Sequence, residues 1–114
     1  MNLGAKQEVF TENLAFLIMY AYYKGYRIRM GETWRSPHTA AANAAAGIGI
    51  ANSLHTIKLA VDLNLFKDGQ YLTKTEDHRE LGEFWKTLDP DNRWGGDFPN
   101  PDGNHYSMTH GGVS

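Results

Sequence analysis

An apolar segment that carries a single acidic residue constrains the fold of this chain more than any other feature. In residues 59–66, apolar side chains alternate with small or polar ones, with Leu59, Val61, Leu63 and Leu65 set against Ala60, Asp62 and Asn64. This period of two predicts a β-strand with its leucines on one face and Asp62 on the other. A carboxylate in such surroundings indicates a bound cation, a neighbouring arginine or contact with solvent, because burying an unpaired charge is costly.

A histidine, His55, stands seven residues before Asp62. A continuous strand would separate the two residues by roughly 23 Å, and a helix by roughly 10 Å along its axis. Neither arrangement lets both side chains bind one metal ion at roughly 2 Å. If they share a metal, the chain must bend between them, and we expect that bend at residues 56–58. The pair becomes a metal site only if the chain supplies a third ligand.

Length and composition exclude several classes of function. The 114 residues predict a single domain over residues 1–114 with one modest core. The net charge is −2 and the basic residues do not cluster, which argues against nucleic-acid binding. Because there are no cysteines, disulfides and thiol catalysis are excluded. No signal peptide is visible, and the apolar stretch 14–23 is too short to span a bilayer. We therefore expect a monomer made in the cytoplasm without membrane insertion.

The remaining patterns predict helices and short strands in mixed order, which is typical of an α+β domain. Helices are expected over residues 5–24, 38–46 and 76–88, with Ser36 and Thr75 as the N-caps of the second and third. Strands are expected over residues 26–30, 59–66, 71–73 and from residue 105 onwards. His78 follows two acidic residues, so we expect it on the solvated face of the third helix.

His105 is the candidate third ligand, and Asp102 lies three residues before it. In a turn, this spacing allows both side chains to point into one site. Zinc held by two histidines and one carboxylate leaves a fourth position for water, with Asp102 as a base for its proton. Arg35 can face the developing oxyanion. The structural alternatives are a turn role for Asp102 and His105, and a salt bridge from Arg35 to Asp62 or Asp102.

Four short segments together resemble the zinc peptidases of the D-alanyl-D-alanine carboxypeptidase group. They are Ser53-Leu-His55, Ala60-Val-Asp62, Trp94-Gly-Gly-Asp-Phe98 and Asp102-Gly-Asn-His105. The similarity runs from about Arg35 to Met108 and is closest to the small phage members, the L-alanyl-D-glutamate endopeptidases that act as endolysins. It implies a small antiparallel sheet with packed helices, of the hedgehog/DD-peptidase type, which agrees with the α+β pattern.

The resemblance also implies a role for each matching residue. His55, Asp62 and His105 match the three zinc ligands. Asp102 matches the catalytic acid/base, and Arg35 matches the arginine that polarises the scissile carbonyl. Ser53 matches a serine that orients the loop or the substrate. The chain departs from its relatives at two points. Ser107 stands where an acidic or amide residue is frequent, and the glutamine often found after the arginine is not evident. Both departures concern substrate recognition more than zinc binding.

The resemblance thus predicts a zinc-dependent peptidase of peptidoglycan stem peptides, an L-alanyl-D-glutamate endopeptidase in preference to a D-alanyl-D-alanine carboxypeptidase. As an endolysin it would be made in the host cytoplasm and act in the periplasm or cell wall, once another protein has opened the inner membrane. One alternative is a non-catalytic zinc module for wall binding or virion structure. Another is a metal-free protein whose histidines serve in turns.

Overall fold

The structure is a computed structural model that describes residues 1–50 and 52–114. Within those residues, three α-helices and five β-strands follow one another in mixed order. They are α1 (Leu3–Tyr23), β1 (Arg27–Met30), α2 (Pro37–Ala45), β2 (Ala60–Lys67), β3 (Gln70–Leu72), α3 (Arg79–Leu88), β4 (Asn92–Trp94) and β5 (His105–Met108). Short 3-10 turns cover Leu54–Ile57, Thr75–His78 and Gly95–Asp97. The α+β class expected from the sequence is confirmed.

The strands form one antiparallel sheet that is organised around β2. This strand pairs with β1, β3 and β5, and β5 pairs in turn with β4. In the register of β2 with β5, Asp62 stands directly opposite His105. Because opposed residues in an antiparallel pair project from the same face, both side chains leave the sheet on one side. The alternation in β2 places Leu63 and Leu65 on the other side, where both are fully buried.

The apolar face of the sheet packs against α1 and α3. Leu17 from α1, Leu81 and Trp85 from α3 and the β2 leucines belong to one buried cluster. Each such side chain contributes roughly 1.5–3 kcal/mol by leaving water. The Trp85 indole also donates to the carbonyl oxygens of Arg93 and Ser107, each at 3.0 Å. The core therefore ties α3 to β4 and β5, the strands that precede and follow the 102–105 turn.

The helix ends test the expected caps. Ser36 caps α2 as expected, because its hydroxyl accepts from the Thr39 amide at 3.0 Å and proline follows it. The cap expected at Thr75 is wrong, since the 3-10 turn before α3 already begins there and its N-cap is Lys74. The Asp77 carboxylate accepts from the Lys74 amide at 3.0 Å.

The solvated position expected for His78 is also wrong. The side chain is 3% exposed, and its Nδ1 lies 2.8 Å from the Tyr106 hydroxyl. The 3-10 turn, in place of a first turn of α-helix, brings His78 against β5. Strand β4 was not expected, because Asn92, Arg93 and Trp94 stand between a helix-breaking Asp-Pro segment and two glycines and show no alternation of apolar and polar residues. Among the described residues, no helix is long and apolar enough to cross a membrane.

Candidate active site

The chain bends between His55 and Asp62, as it must if the two residues share a metal ion. The Ser53 hydroxyl accepts from the His55 amide at 3.2 Å and caps the 3-10 turn Leu54–Ile57. Lys58 then adopts a left-handed conformation with φ 60°, which costs a non-glycine residue roughly 1–2 kcal/mol. The Leu59 amide closes the reversal by donating to Leu54 at 3.0 Å. The reversal brings His55 back beside β2.

Three side chains converge at the end of the sheet. One ligand atom each from His55, Asp62 and His105 lies within 4.8 Å of the other two. The Asp62 Oδ1 is 3.5 Å from Nε2 of His55 and 3.6 Å from Nδ1 of His105. This oxygen is buried and has no hydrogen-bond partner within the described part of the chain. A buried oxygen that two imidazole nitrogens face without bonding fits a divalent cation between them.

The ionisation of Asp62 also suits a metal ligand. Burial disfavours the charged carboxylate, but the contacts with His105 and His55 outweigh that effect and lower the pKa of Asp62 to about 2. The group is therefore anionic throughout the neutral range. Because metal ligands must be deprotonated, Asp62 can bind a cation without first losing a proton.

Asp102 occupies a turn that holds it close to His105. Its amide donates to the Gly95 carbonyl at 2.9 Å, and its own carbonyl accepts from the His105 amide at 3.1 Å. A Cβ at Gly95 would lie 2.0 Å from the Asp102 carbonyl oxygen, so this approach requires glycine. Asp102 is exposed and lines the same cleft as the three clustered side chains. This position suits a proton acceptor, and the catalytic role stays a prediction.

Arg35 reaches the cleft from the loop after β1. Its amide donates to the His55 carbonyl at 3.2 Å, which fixes the loop beside the histidine. Its guanidinium pairs with Glu32, so the salt bridge considered with Asp62 or Asp102 is wrong. The Arg35 side chain is largely buried, with 17% of its surface exposed. An arginine held in this way can direct donors at a substrate oxygen.

Glu32 is the residue at this site that the sequence did not reveal. Its Oε1 contacts Nη2 of Arg35 and lies 3.6 Å from Nδ1 of His55. Its backbone carbonyl accepts from the Asp62 amide at 2.8 Å. A glutamate in a loop is common, and only the pairing of this loop with β2 brings it to the site.

Two depressions meet at Asp102. The cleft over the three clustered side chains has a volume of about 260 Å³ and is bordered by Ile48, Ile50 and Phe98. The Phe98 ring lies 5.4 Å from that of His105. A second depression, of about 220 Å³, is lined mainly by polar residues, among them Asn64, Thr73, Thr75, His78 and Asn104. Asp102 borders both.

Comparisons with known proteins agree with this geometry. The model of a family described as D-alanyl-D-alanine carboxypeptidase matches residues 46–108, more than half of the chain. The match includes the three clustered side chains and Asp102, whereas Arg35 lies before it. No curated protein matches the sequence.

Two solved structures share the fold. The L-Ala D-Glu endopeptidase ChiX of Serratia marcescens superposes with a TM-score of 0.69 at 20% identity, over 86% of this chain and 79% of that one. The vancomycin-resistance D,D-pentapeptidase VanY, a variant solved in complex with Zn(II), gives 0.60 at 20% identity, over 87% and 70%. The DD-peptidase-like fold expected from the sequence is confirmed.

Proposed function

The chain belongs to the D-alanyl-D-alanine carboxypeptidase family of zinc peptidases, and we propose that it cleaves the L-alanyl-D-glutamate bond of peptidoglycan stem peptides. The observation that carries the zinc chemistry is the Oδ1 of Asp62, which lies buried between His55 and His105 without a hydrogen-bond partner in residues 1–50 and 52–114. The choice of bond rests on the two depressions. Two imidazoles and one carboxylate are a ligand set that zinc uses in hydrolytic sites. The residues present thus fit the metal of the family.

The chain's own groups supply the remaining chemistry. When bound, zinc would supply a Lewis acid that lowers the pKa of a coordinated water and polarises a carbonyl. The Asp102 carboxylate accepts the proton of the attacking water and returns it to the leaving amine. The Arg35 guanidinium donates to the oxygen of the scissile carbonyl as its negative charge develops. Ser53 contributes indirectly. Its hydroxyl accepts a hydrogen bond from the His55 amide and so holds the turn that carries this ligand.

The arrangement of the clefts supports an endopeptidase over a carboxypeptidase. An endopeptidase must hold substrate on both sides of the bond it cuts, whereas a carboxypeptidase removes one terminal residue. Here a second, polar depression shares Asp102 with the metal-binding cleft, which offers room for substrate on a further side of the site. The fold is also shared with ChiX, an L-Ala D-Glu endopeptidase. We therefore favour the internal bond.

We further propose that the protein acts as a phage-type endolysin, made in the host cytoplasm and acting in the periplasm or cell wall. The support is the resemblance of its motifs to the small phage endopeptidases. Expression in a Gram-negative host tests this role. Cells should lyse when the inner membrane is permeabilised and should stay intact otherwise. Intact cells after permeabilisation would contradict the endolysin role.

Digestion of purified peptidoglycan by the zinc-loaded protein, with mass spectrometry of the released peptides, tests the proposed bond. We expect stem peptides that begin at D-glutamate. Loss of a single terminal D-alanine would instead establish the carboxypeptidase. No release, with one zinc bound per chain, would indicate a non-catalytic zinc module.

The Asp102→Asn variant is the matched control for this digest. It should bind zinc and leave the peptidoglycan intact. Release of the same peptides by the variant and the wild type would remove Asp102 from the mechanism.

A further inference from the structure

We propose that Glu32 is a positioning residue that orients both the His55 imidazole and the Arg35 guanidinium. This inference rests on the proposed zinc peptidase function, but its main test measures metal affinity and does not depend on turnover.

The backbone fixes Glu32 against the metal-binding strand. The Gly31 amide donates to the Asp62 carbonyl at 2.9 Å, and the Asp62 amide donates to the Glu32 carbonyl at 2.8 Å. Two successive residues thus bond to the single residue Asp62, as in a β-bulge, a feature that redirects side chains beside active sites. A Cβ at Gly31 would lie 2.9 Å from the Asp62 carbonyl oxygen, so the two segments are in close contact. Glu32 therefore has a defined position relative to Asp62.

Glu32 and Asp62 flank the His55 ring at opposite nitrogens. Nε2 of His55 faces Asp62, whereas Nδ1 lies 3.6 Å from Oε1 of Glu32. Nδ1 is buried and has no hydrogen-bond partner among residues 1–50 and 52–114. A small rotation of the carboxylate lets it accept the Nδ1 proton, which leaves the lone pair of Nε2 for the metal. Such outer carboxylates orient ligating histidines and raise their basicity.

The same carboxylate oxygen holds Arg35 through its Nη2. A divalent cation, the carboxylates of Glu32, Asp62 and Asp102, and the guanidinium together carry no net charge. Removing the Glu32 charge weakens the attraction for the cation and leaves the guanidinium without its carboxylate. Because the side chains of Arg35 and Asp62 are only 17% and 23% exposed, their charges are less screened than those of a surface pair.

Glu32→Gln, which keeps the shape and removes the charge, tests the inference. We expect the zinc Kd, measured by competition with a chelator, to rise about 10- to 100-fold. At saturating zinc, kcat on peptidoglycan fragments should fall by roughly 10-fold as Arg35 loses its orientation. The matched control is Glu76→Gln, because Glu76 also pairs with an arginine three residues later, Arg79, but outside the site. It should change neither quantity.

The same substitution in an Arg35→Met background separates the two contacts. If Glu32 acts on His55 directly, Glu32→Gln weakens zinc binding in that background too. If Glu32→Gln does not weaken zinc binding in the Arg35→Met background, Glu32 does not act on His55 directly. Zinc affinity and kcat equal to those of Glu76→Gln would overturn the whole inference. The zinc-free variants should melt at the same temperature, which excludes unfolding as the cause of a lower affinity. A wild type that binds zinc but cuts no peptidoglycan would contradict the proposed function and leave the affinity test intact.

Discussion

The indole of Trp94 is in close contact with two glycines, which makes the packing beneath the active site testable. A Cβ at Gly82 of α3 would lie 2.2 Å from Cδ2 of Trp94, and one at Gly96 would lie 2.2 Å from Cζ2. Trp94 is fully buried, and its Nε1 donates to the Gly103 carbonyl at 2.7 Å. Because Gly96 and the Gly103 carbonyl also hold the indole, it has little room to move away from a methyl group added at Gly82.

We therefore expect Gly82→Ala to destabilise the protein. Overpacking a close-packed core costs roughly 1–3 kcal/mol, and alanine regains about 1 kcal/mol of helix propensity over glycine. The difference is a net loss of about 0–2 kcal/mol. Because the added Cβ would lie only 2.2 Å from Trp94, we expect the upper half of that range, which lowers Tm by roughly 4–10 °C in a domain of this size. Any shift of the indole also displaces Gly103, the neighbour of Asp102, so kcat should fall as well.

Thermal unfolding followed by circular dichroism, on zinc-free protein, measures the effect. Gly4→Ala in α1 is the matched control, because its added Cβ would meet only the Asn2 Oδ1, at an ordinary 3.6 Å. That variant should unfold at the wild-type temperature or slightly above it. Equal melting temperatures for the two alanine variants would refute the confinement of Trp94.

Three further predictions follow from the site and the core. Asp102→Asn should retain zinc, as measured by metal analysis, and lose peptidoglycan hydrolysis by at least about 100-fold; hydrolysis within a few-fold of wild type would contradict the assigned base. Burial lowers the pKa of His78 from 6.5 to about 4, against a smaller opposing effect of Asp77. The unfolded chain therefore binds the proton first, and stability should fall by about 3 kcal/mol as the pH is lowered from 6.5 to 4. Chemical denaturation of zinc-free protein should show this loss in the wild type and not in His78→Gln. Saturating zinc should raise Tm in the wild type and not in His105→Ala, because the ion binds the folded state alone; an equal rise in both would place the metal elsewhere.

The sequence predicted those parts of the fold that a local pattern determines. The alternation in residues 59–66 identified β2 and the face of Asp62. A metal shared by His55 and Asp62 would require a bend between them, expected at residues 56–58. The structure supplies that bend through the 3-10 turn and the left-handed Lys58. Ser36 followed by proline likewise marked the start of α2.

Features that depend on pairing between distant segments were not visible in the sequence. His78 lies beside Glu76 and Asp77, which suggested a solvated face, but tertiary packing places it against Tyr106 of β5. The sequence suggests Asp62 or Asp102 as the carboxylate partner of Arg35, whereas the bulge beside β2 supplies Glu32. In both cases the deciding contact joins elements whose register no local pattern specifies.

The proposed mechanism requires that His55, Asp62 and His105 together hold one zinc ion. Diffraction from zinc-loaded crystals at the zinc absorption edge tests it most directly. We expect one strong anomalous peak per chain, about 2 Å from Nε2 of His55, Oδ1 of Asp62 and Nδ1 of His105. A peak bound by other residues, or no peak from a protein that still cleaves peptidoglycan, would contradict it.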